Sequence, residues 1–284
     1  MMGLNFLKVP DRKKAGNILI PCQENRKGIT NHLRGLMKIL TWNVAHQTHT
    51  ANKNLPDMAD ALASISPDVI VLTEYVPGKL HDTFTAELNA MGFTWTISNP
   101  SPTIRRQNQV LIASRTPLVT GDIQAPLISP AFPSNVLHVR VPEMGFEVLG
   151  LRVPMPLNPE IRSKYWNWIL EIAQPLRDRP SIILGDLNND TGAKGPNGGV
   201  RFNQLKEGGW YRAPASGKSY WSKDGMVESR LDHALFSPHF VIGKSEYITE
   251  SGGYIIANTQ PKKFNPKAMS DHAILLVEFE HKPE

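Results

Sequence analysis

Residues 181–188 read Ser-Ile-Ile-Leu-Gly-Asp-Leu-Asn, and this stretch carries the strongest local signal in the chain. The apolar run predicts a buried strand, and Gly185 permits a tight exit of the chain from the sheet. In extended backbone Asp186 and Asn188 are two residues apart and face the same side. A carboxylate and an amide so placed suit the activation of water and the binding of phosphate. The alternative is an Asx-rich turn, because residues 188–192 read Asn-Asn-Asp-Thr-Gly.

Four further segments repeat the pattern of a β-forming run with a polar side chain near its end. They are Ile39–Asn43, Val69–Glu74, Ser229–His233 and Ser270–His272. Catalytic groups tend to lie on strand ends and loops that a rigid sheet positions, so five such segments predict one site. A carboxylate directly after a buried strand is poorly solvated unless a cation neutralises it, which makes Glu74 a candidate metal ligand. Taken alone, Glu74 also fits a capping or surface acid.

The last two segments predict a second metal ligand and a charged histidine. Asp271 is interpreted as the second ligand, with a simple turn as the alternative, and Asn43 as a residue that orients the base or the metal shell. Hard oxygen donors completed by water and phosphate suit Mg²⁺, and the sequence contains no Cys and His pattern typical of a zinc site. Asp232 bonded to one imidazole nitrogen would raise the pKa of His272 and fix its orientation. A charged His272 would then stabilise a pentavalent phosphorane.

Composition predicts one large domain without disulfide bonds. The chain has 284 residues, of which 40% are hydrophobic, so it can bury a substantial core, and the spread of motifs favours a single domain over residues 37–284. The net charge of +5 and the pI near 9.2 suit a polyanionic substrate without requiring one. Cys22 is the only cysteine, so a reducing compartment is acceptable and we expect a cytoplasmic protein. No apolar stretch approaches the roughly 18–20 residues of a membrane span.

The first 36 residues are rich in Lys, Arg, Asn and Gly and show no sustained periodicity. They are predicted to form a disordered arm without a secretion signal. Met37 directly precedes the first motif strand, which favours Met37 as the true start of translation.

Beyond Met37, hydrophobic periodicity predicts helices alternating with strands. The predicted helices cover residues 54–65, 80–91 and 158–173. The predicted strands cover residues 38–42, 69–72, 94–97, 110–113, 136–141, 146–153, 181–184, 231–236, 241–249 and 273–279. Strands joined both by hairpins and by helices indicate mixed sheets with helices outside.

Taken together, the five segments resemble the endonuclease/exonuclease/phosphatase family, which includes apurinic endonucleases and pancreatic-type deoxyribonucleases. The resemblance covers nearly all of residues 37–279, and residues 107–118 add the family's apolar strand ending in Ser-Arg and Pro-Leu. It implies an α/β four-layer sandwich, two packed mixed sheets flanked by helices, and Mg²⁺- or Mn²⁺-dependent cleavage of a phosphoester. Carried over by motif, the roles are orientation for Asn43, metal binding for Glu74 and Asp271, water activation for Asp186, phosphate contact for Asn188, and support of His272 by Asp232.

The chain departs from the family pattern at two points. Family members often carry an acidic residue two positions after the first-motif Asn, where this chain has Ala45, and a Tyr or His at the strand end where it has Arg152. Arginine does not release its proton near neutral pH, but its planar fork suits bidentate phosphate binding and charge stabilisation. The alternative for Arg152 is an ordinary surface arginine beside a misaligned strand.

Charge and aromatic residues favour a nucleic acid, DNA above RNA, as substrate. Candidate phosphate contacts are Arg106, Lys263 and Lys267, and Trp221 lies in an aromatic loop region that could stack on bases; solvated loops and core packing are the alternatives. We therefore expect a nuclease without a membrane or an obligate protein partner, acting as a monomer. A small-molecule or lipid phosphoesterase, and a binding module without catalysis, remain as alternatives.

Overall fold

Two six-stranded β-sheets form the centre of the computed structural model, which describes residues 35–46, 55–99, 107–128, 135–155, 158–195, 198–259 and 265–283. The strands of the described residues are β1 Met37–Asn43, β2 Val69–Tyr75, β3 Trp95–Ser98, β4 Gln109–Ser114, β5 Val119–Thr120, β6 Val136–Val141, β7 Phe146–Arg152, β8 Ser181–Asp186, β9 Tyr211–Arg212, β10 Tyr220–Trp221, β11 Glu228–Ser229, β12 Asp232–Phe236, β13 Phe240–Ile248, β14 Glu250–Ser251, β15 Tyr254–Ile255 and β16 Ile274–His281. The helices are α1 Leu55–Ile65, α2 His81–Ala90, α3 Pro159–Arg177 and α4 Val200–Glu207.

Both large sheets are mixed. The first has the strand order β13-β16-β1-β2-β4-β3 and the second has the order β5-β6-β7-β8-β12-β9. One neighbouring pair in each sheet is parallel, β1 with β2 and β7 with β8, and the other pairs are antiparallel. The two parallel pairs matter for the site, because they bring the carboxyl ends of four strands to the edges where the polar residues follow.

The alternation of side chains along the central strands produces the layers. Val69 and Val71 of β2 pack in one core with Ile182 and Leu184 of β8, between the sheets. The intervening residues of each strand face outward, those of β2 against α1 and α2 and Ile183 against α3. Strands buried on both faces explain the nearly continuous apolar runs of the sequence. The predicted four-layer α/β sandwich is confirmed.

Helix α3 extends beyond its predicted end at residue 173. Its start follows capping rules: the side chain of Asn158 accepts a hydrogen bond from the backbone N of Glu160 at 2.8 Å, and Pro159 holds the first helical position. The last turn forms because Leu176 is buried against the second sheet, despite Pro175 inside the helix. Tertiary packing here outweighs local propensity.

Two features concern the chain outside this core. The predicted disordered arm over residues 1–36 lies, up to residue 34, outside the described residues. Among the helices that the structure describes, none has both the length and the apolar character needed to span a membrane.

Gly185 is required where β8 exits the sheet, and its replacement by alanine should destabilise the fold. Its φ of +142° is unfavourable for other residues, and an added Cβ would lie 1.9 Å from the carbonyl oxygen of Leu151 on the paired strand. We expect Gly185→Ala to lower the free energy of unfolding by about 2–4 kcal/mol, measured by urea denaturation. Gly35→Ala is the matched control, because a Cβ there meets no atom within 4 Å. Equal stability of the two variants would contradict the close approach of β7 and β8.

Candidate active site

The polar ends of the five motif segments meet at one edge of the two sheets. The parallel pairs end there with Asn43, Glu74, Arg152 and Asp186, and the antiparallel register places Asp232 opposite Asp186. Two contacts join the sheets: the Asn43 amide donates to Asp186 at 3.0 Å, and an Arg152 NH group lies 2.7 Å from Glu74. Asn43 Nδ2 also lies 3.5 Å from His272 Nε2, so residues 229 positions apart in sequence share one site.

Asp186 is held on both carboxylate oxygens. Oδ1 accepts from the backbone N of Asn188 at 2.9 Å, and Oδ2 accepts from the side-chain amides of Asn43 and Asn188, each at 3.0 Å. Asn188 has a left-handed backbone, φ 47°, and its amide also donates to the carbonyl of Val153 at 2.7 Å. This strained and fully bonded turn fixes the direction of the Asp186 carboxylate.

The surroundings of Asp186 make it a weaker acid than usual. Burial, together with the like charges of Asp232 and Glu74, raises the pKa of Asp186 to about 6, against the attraction of His272 and Arg152. A carboxylate with a pKa near the working pH is suited to accept a proton from water.

His272 is paired with Asp232 and held in place by its backbone. Its Nδ1 donates to Asp232 Oδ2 at 2.7 Å, its backbone N donates to Ser270 Oγ at 3.0 Å, and its carbonyl accepts from Trp42 Nε1 at 3.1 Å. Burial lowers the pKa of His272, but the charge and hydrogen bond of Asp232 more than offset it and raise the pKa to about 9. The imidazole is therefore positively charged at neutral pH, within 4.8 Å of a carboxylate oxygen of Asp186.

Replacing Asp232 by asparagine should lower the pKa of His272. The variant removes the charge that offsets burial, and burial alone favours the neutral imidazole. We expect NMR titration of the imidazole nitrogens, with EDTA present, to give a pKa near 9 in the wild type and a clearly lower value in Asp232→Asn. The His272→Gln variant lacks this imidazole and therefore shows which NMR signal belongs to His272. If the pKa of His272 is unchanged in Asp232→Asn, a group other than Asp232 keeps the imidazole protonated.

Arg152 lies beside Glu74 and Asp186 and is largely buried. Its side chain is 16% exposed, pairs with Glu74 Oε1, and places Nε 3.6 Å from Asp186 Oδ2. Among the residues that the structure describes, none accepts a hydrogen bond from its buried Nε–H. Burial opposes ionisation of Glu74, but the Arg152 guanidinium holds the pKa of that carboxyl below its ordinary value. The left-handed backbone of Glu74, φ 51°, coincides with a register break in β2 and turns its side chain into the site.

The donor chemistry of the site fits a divalent metal ion. Four carboxylates, Glu74, Asp186, Asp232 and Asp271, lie in the described site, and the cations that act on them are Arg152, Arg162 and His272. The carboxylates outnumber these cations, and a bound metal ion would offset the remaining negative charge. Asp271 shares this environment, because its charge acts on both His272 and Tyr220. Glu74 and Asp271 would hold the ion, since Mg²⁺ and Mn²⁺ accept carboxylate oxygens.

The remaining predicted residues have different positions. Asn43 directs its amide to Asp186, while its Oδ1 accepts from the backbone N of Ala45 at 3.0 Å. Trp221 is only 9% exposed and packs against Ala257 and Ala273, which leaves little of its ring open to a base. Lys267 is exposed. Arg106 and Lys263 lie outside the described residues.

Sequence reasoning missed two residues of the site and only grouped a third with other aromatics. His46 places Nε2 3.2 Å from Glu74 Oε2, and it lies three residues after the first motif segment, where the sequence gives no signal of this contact. Ser219 accepts a hydrogen bond from the backbone N of Asp232 at 3.0 Å, without any sequence signal. The ring of Tyr220 lies against His272 with 5.0 Å between centroids, so it, unlike Trp221, faces the site.

Comparison with known proteins identifies the family of the chain. The model of the Endonuclease/Exonuclease/phosphatase family matches residues 40–272, which include every motif segment except the first residue of the first one. The chain belongs to this family. Its members act on phosphoesters. No curated protein sequence matches the chain.

Solved structures of the Endonuclease/Exonuclease/phosphatase family share the fold. A family protein from Beutenbergia cavernae is 19% identical, with a TM-score of 0.63, covering 87% of this chain and 72% of that one. The 3′ phosphatase NExo from Neisseria, bound to product DNA hairpin, is 22% identical, with a TM-score of 0.62 and coverage of 86% and 99%. An AP endonuclease from Archaeoglobus fulgidus is 14% identical, with a TM-score of 0.63 and coverage of 85% and 98%.

Proposed function

We propose that the protein is a divalent-metal-dependent nuclease, with DNA as the favoured substrate, that hydrolyses a phosphodiester with water activated by Asp186. One observation carries the proposal: a buried carboxylate is held on both oxygens by Asn43 and Asn188, within 4.8 Å of an imidazole that Asp232 keeps charged. A base and a cation this close can act on one phosphate.

Each residue has a role in this reaction. Asp186 takes a proton from the attacking water, and Asn43 and Asn188 keep its carboxylate aligned. The charged His272 and the partly exposed Arg152 guanidinium bind the phosphate oxygens as negative charge develops on them. When bound by Glu74 and Asp271, the metal ion supplies Lewis-acid polarisation of a phosphoryl oxygen. Asp232 accepts a hydrogen bond from His272 and stabilises the charge on its imidazole.

Two features favour a nucleic acid over a smaller phosphoester. Residues 37–284 contain as many Lys and Arg as Asp and Glu, so the excess of acids in the site is balanced by positive charge on the rest of the domain. Tyr220 lies beside His272 at the base of the β10–β11 hairpin, whose exposed Met226 and Val227 offer apolar contacts to bases. The fold of the DNA-bound Neisseria phosphatase is in keeping with such a substrate.

The proposal is tested by a panel of labelled substrates with Mg²⁺, with Mn²⁺ and with EDTA. The panel contains duplex DNA, single-stranded DNA, abasic duplex, RNA, an inositol polyphosphate and a phospholipid head group. We expect metal-dependent cleavage of DNA that weakens at high salt, because phosphate contacts release counterions. Hydrolysis of only the inositol phosphate or the head group would establish the alternative activity. Fragment lengths distinguish internal from terminal cleavage.

A further inference from the structure

Glu74 has one oxygen free of Arg152, and that oxygen faces an imidazole. Arg152 occupies Oε1 at 2.7 Å, whereas Oε2 lies 3.2 Å from Nε2 of His46. In octahedral coordination, two neighbouring ligand atoms that each lie about 2.1 Å from the metal ion are roughly 3.0 Å from each other. The separation of Oε2 and Nε2 is thus close to that of two neighbouring ligands of one ion.

The backbone of the first motif directs His46 toward Glu74. Val44 still pairs with β2, its N donating to the carbonyl of Thr73 at 3.0 Å. The chain then turns, because Asn43 Oδ1 accepts from the N of Ala45, and both Ala45 and His46 adopt left-handed backbone, φ 46° and 61°. Neither residue is a glycine, so two consecutive left-handed conformations are unusual. This turn brings the His46 ring back over the end of β2.

We propose that His46 is a metal ligand of this site, beside Glu74, and that it makes the site selective for a first-row transition ion such as Mn²⁺ over Mg²⁺. A nitrogen donor disfavours Mg²⁺, which takes oxygen ligands, and suits the transition metals. Arg152 adds to this selectivity. Its positive guanidinium beside Oε1 weakens the electrostatic attraction of Glu74 for Mg²⁺, which has no nitrogen ligand preference to compensate. The inference rests on the metal dependence of the proposed function, and it concerns binding of the ion before any substrate.

Direct metal binding without substrate tests the inference separately from hydrolysis. Titration calorimetry should show Mn²⁺ binding more tightly than Mg²⁺ to the full chain. His46→Gln, which keeps a polar side chain but lacks the imidazole, should weaken Mn²⁺ binding at least about tenfold, while Mg²⁺ binding changes less than about threefold. His46→Asp should tighten Mg²⁺ binding and reduce the preference for Mn²⁺. His239→Gln, outside the site, is the matched control and should bind both ions as the wild type does.

A spectroscopic measurement identifies the ligand itself. Pulsed EPR of bound Mn²⁺ should show the coupling of an imidazole nitrogen in the wild type and in His239→Gln, and lose it in His46→Gln. Because the His46 side chain is 53% exposed, the variants should keep the fold, which circular dichroism checks. Mn²⁺ affinity within threefold of the wild type in His46→Gln, or an unchanged nitrogen coupling, would overturn the assignment and leave a simple His46–Glu74 ion pair. Failure of the substrate panel would not produce either result.

Discussion

Asp186→Asn should reduce the rate of phosphoester hydrolysis by about a thousandfold, within the 10²–10⁴ range of general-base catalysis. The asparagine has the same shape and can still accept from the backbone N of Asn188, but it cannot take a proton from water. Its amide would also face the donating amides of Asn43 and Asn188, so the alignment of the group is lost. The measurement is kcat/KM on the best substrate of the panel at saturating metal.

The control for Asp186→Asn is Asp178→Asn, which makes the same chemical change at the C-terminal cap of α3, where Asp178 contacts Arg177. It should keep kcat/KM within twofold. Circular dichroism should show that both variants are folded. If Asp186→Asn retains more than a tenth of the wild-type kcat/KM, another group removes the proton and the role of Asp186 is wrong.

His272→Gln should reduce kcat/KM by about 10²–10³-fold, the loss typical of removing one group that stabilises developing negative charge. Glutamine can donate a hydrogen bond but lacks the positive charge that Asp232 maintains on the imidazole. Asp232→Asn should cost less, because it leaves the imidazole in place and lowers only its charge and its orientation.

The double variant Asp232→Asn with His272→Gln tests whether the pair acts as one unit. With His272 already absent, the loss of Asp232 should add little, so the double variant should be close to His272→Gln alone. Multiplication of the two separate losses would show that Asp232 acts independently, and would contradict its role as the partner of the imidazole.

The pattern of apolar and polar residues, together with the positions of the glycines, predicts most of the strands and helices. The runs of β2 and β8 are buried on both faces, so their sequences alone indicate interior strands. Helix α3 was predicted four residues short, because its last turn depends on contacts of Leu176 with residues distant in sequence. Helix α4, with few periodic apolar residues, was not predicted, since it is stabilised by packing of Phe202 and Leu205 beneath the second sheet.

The sequence predicts the site residues that directly end a strand. It does not predict a residue that a turn carries back to the site. Nothing in the spacing of Ala45 and His46 shows that a left-handed turn carries the imidazole to Glu74. Aromatic residues are equally ambiguous in sequence. Trp210, Tyr220 and Trp221 lie close together in the chain, yet the two tryptophans are buried and only the tyrosine borders His272. Burial is a property of the whole fold and not of the local pattern.

Hydrolysis before and after removal of metal tests the central claim most directly. The claim is that acids, amides and one charged imidazole from both sheets act together on a phosphoester around a divalent ion. We predict that dialysis against EDTA abolishes cleavage of the best substrate, and that adding Mn²⁺ or Mg²⁺ restores it in the wild type but not in Asp186→Asn. Undiminished cleavage by the fully chelated protein, or full restoration in Asp186→Asn, would contradict the claim.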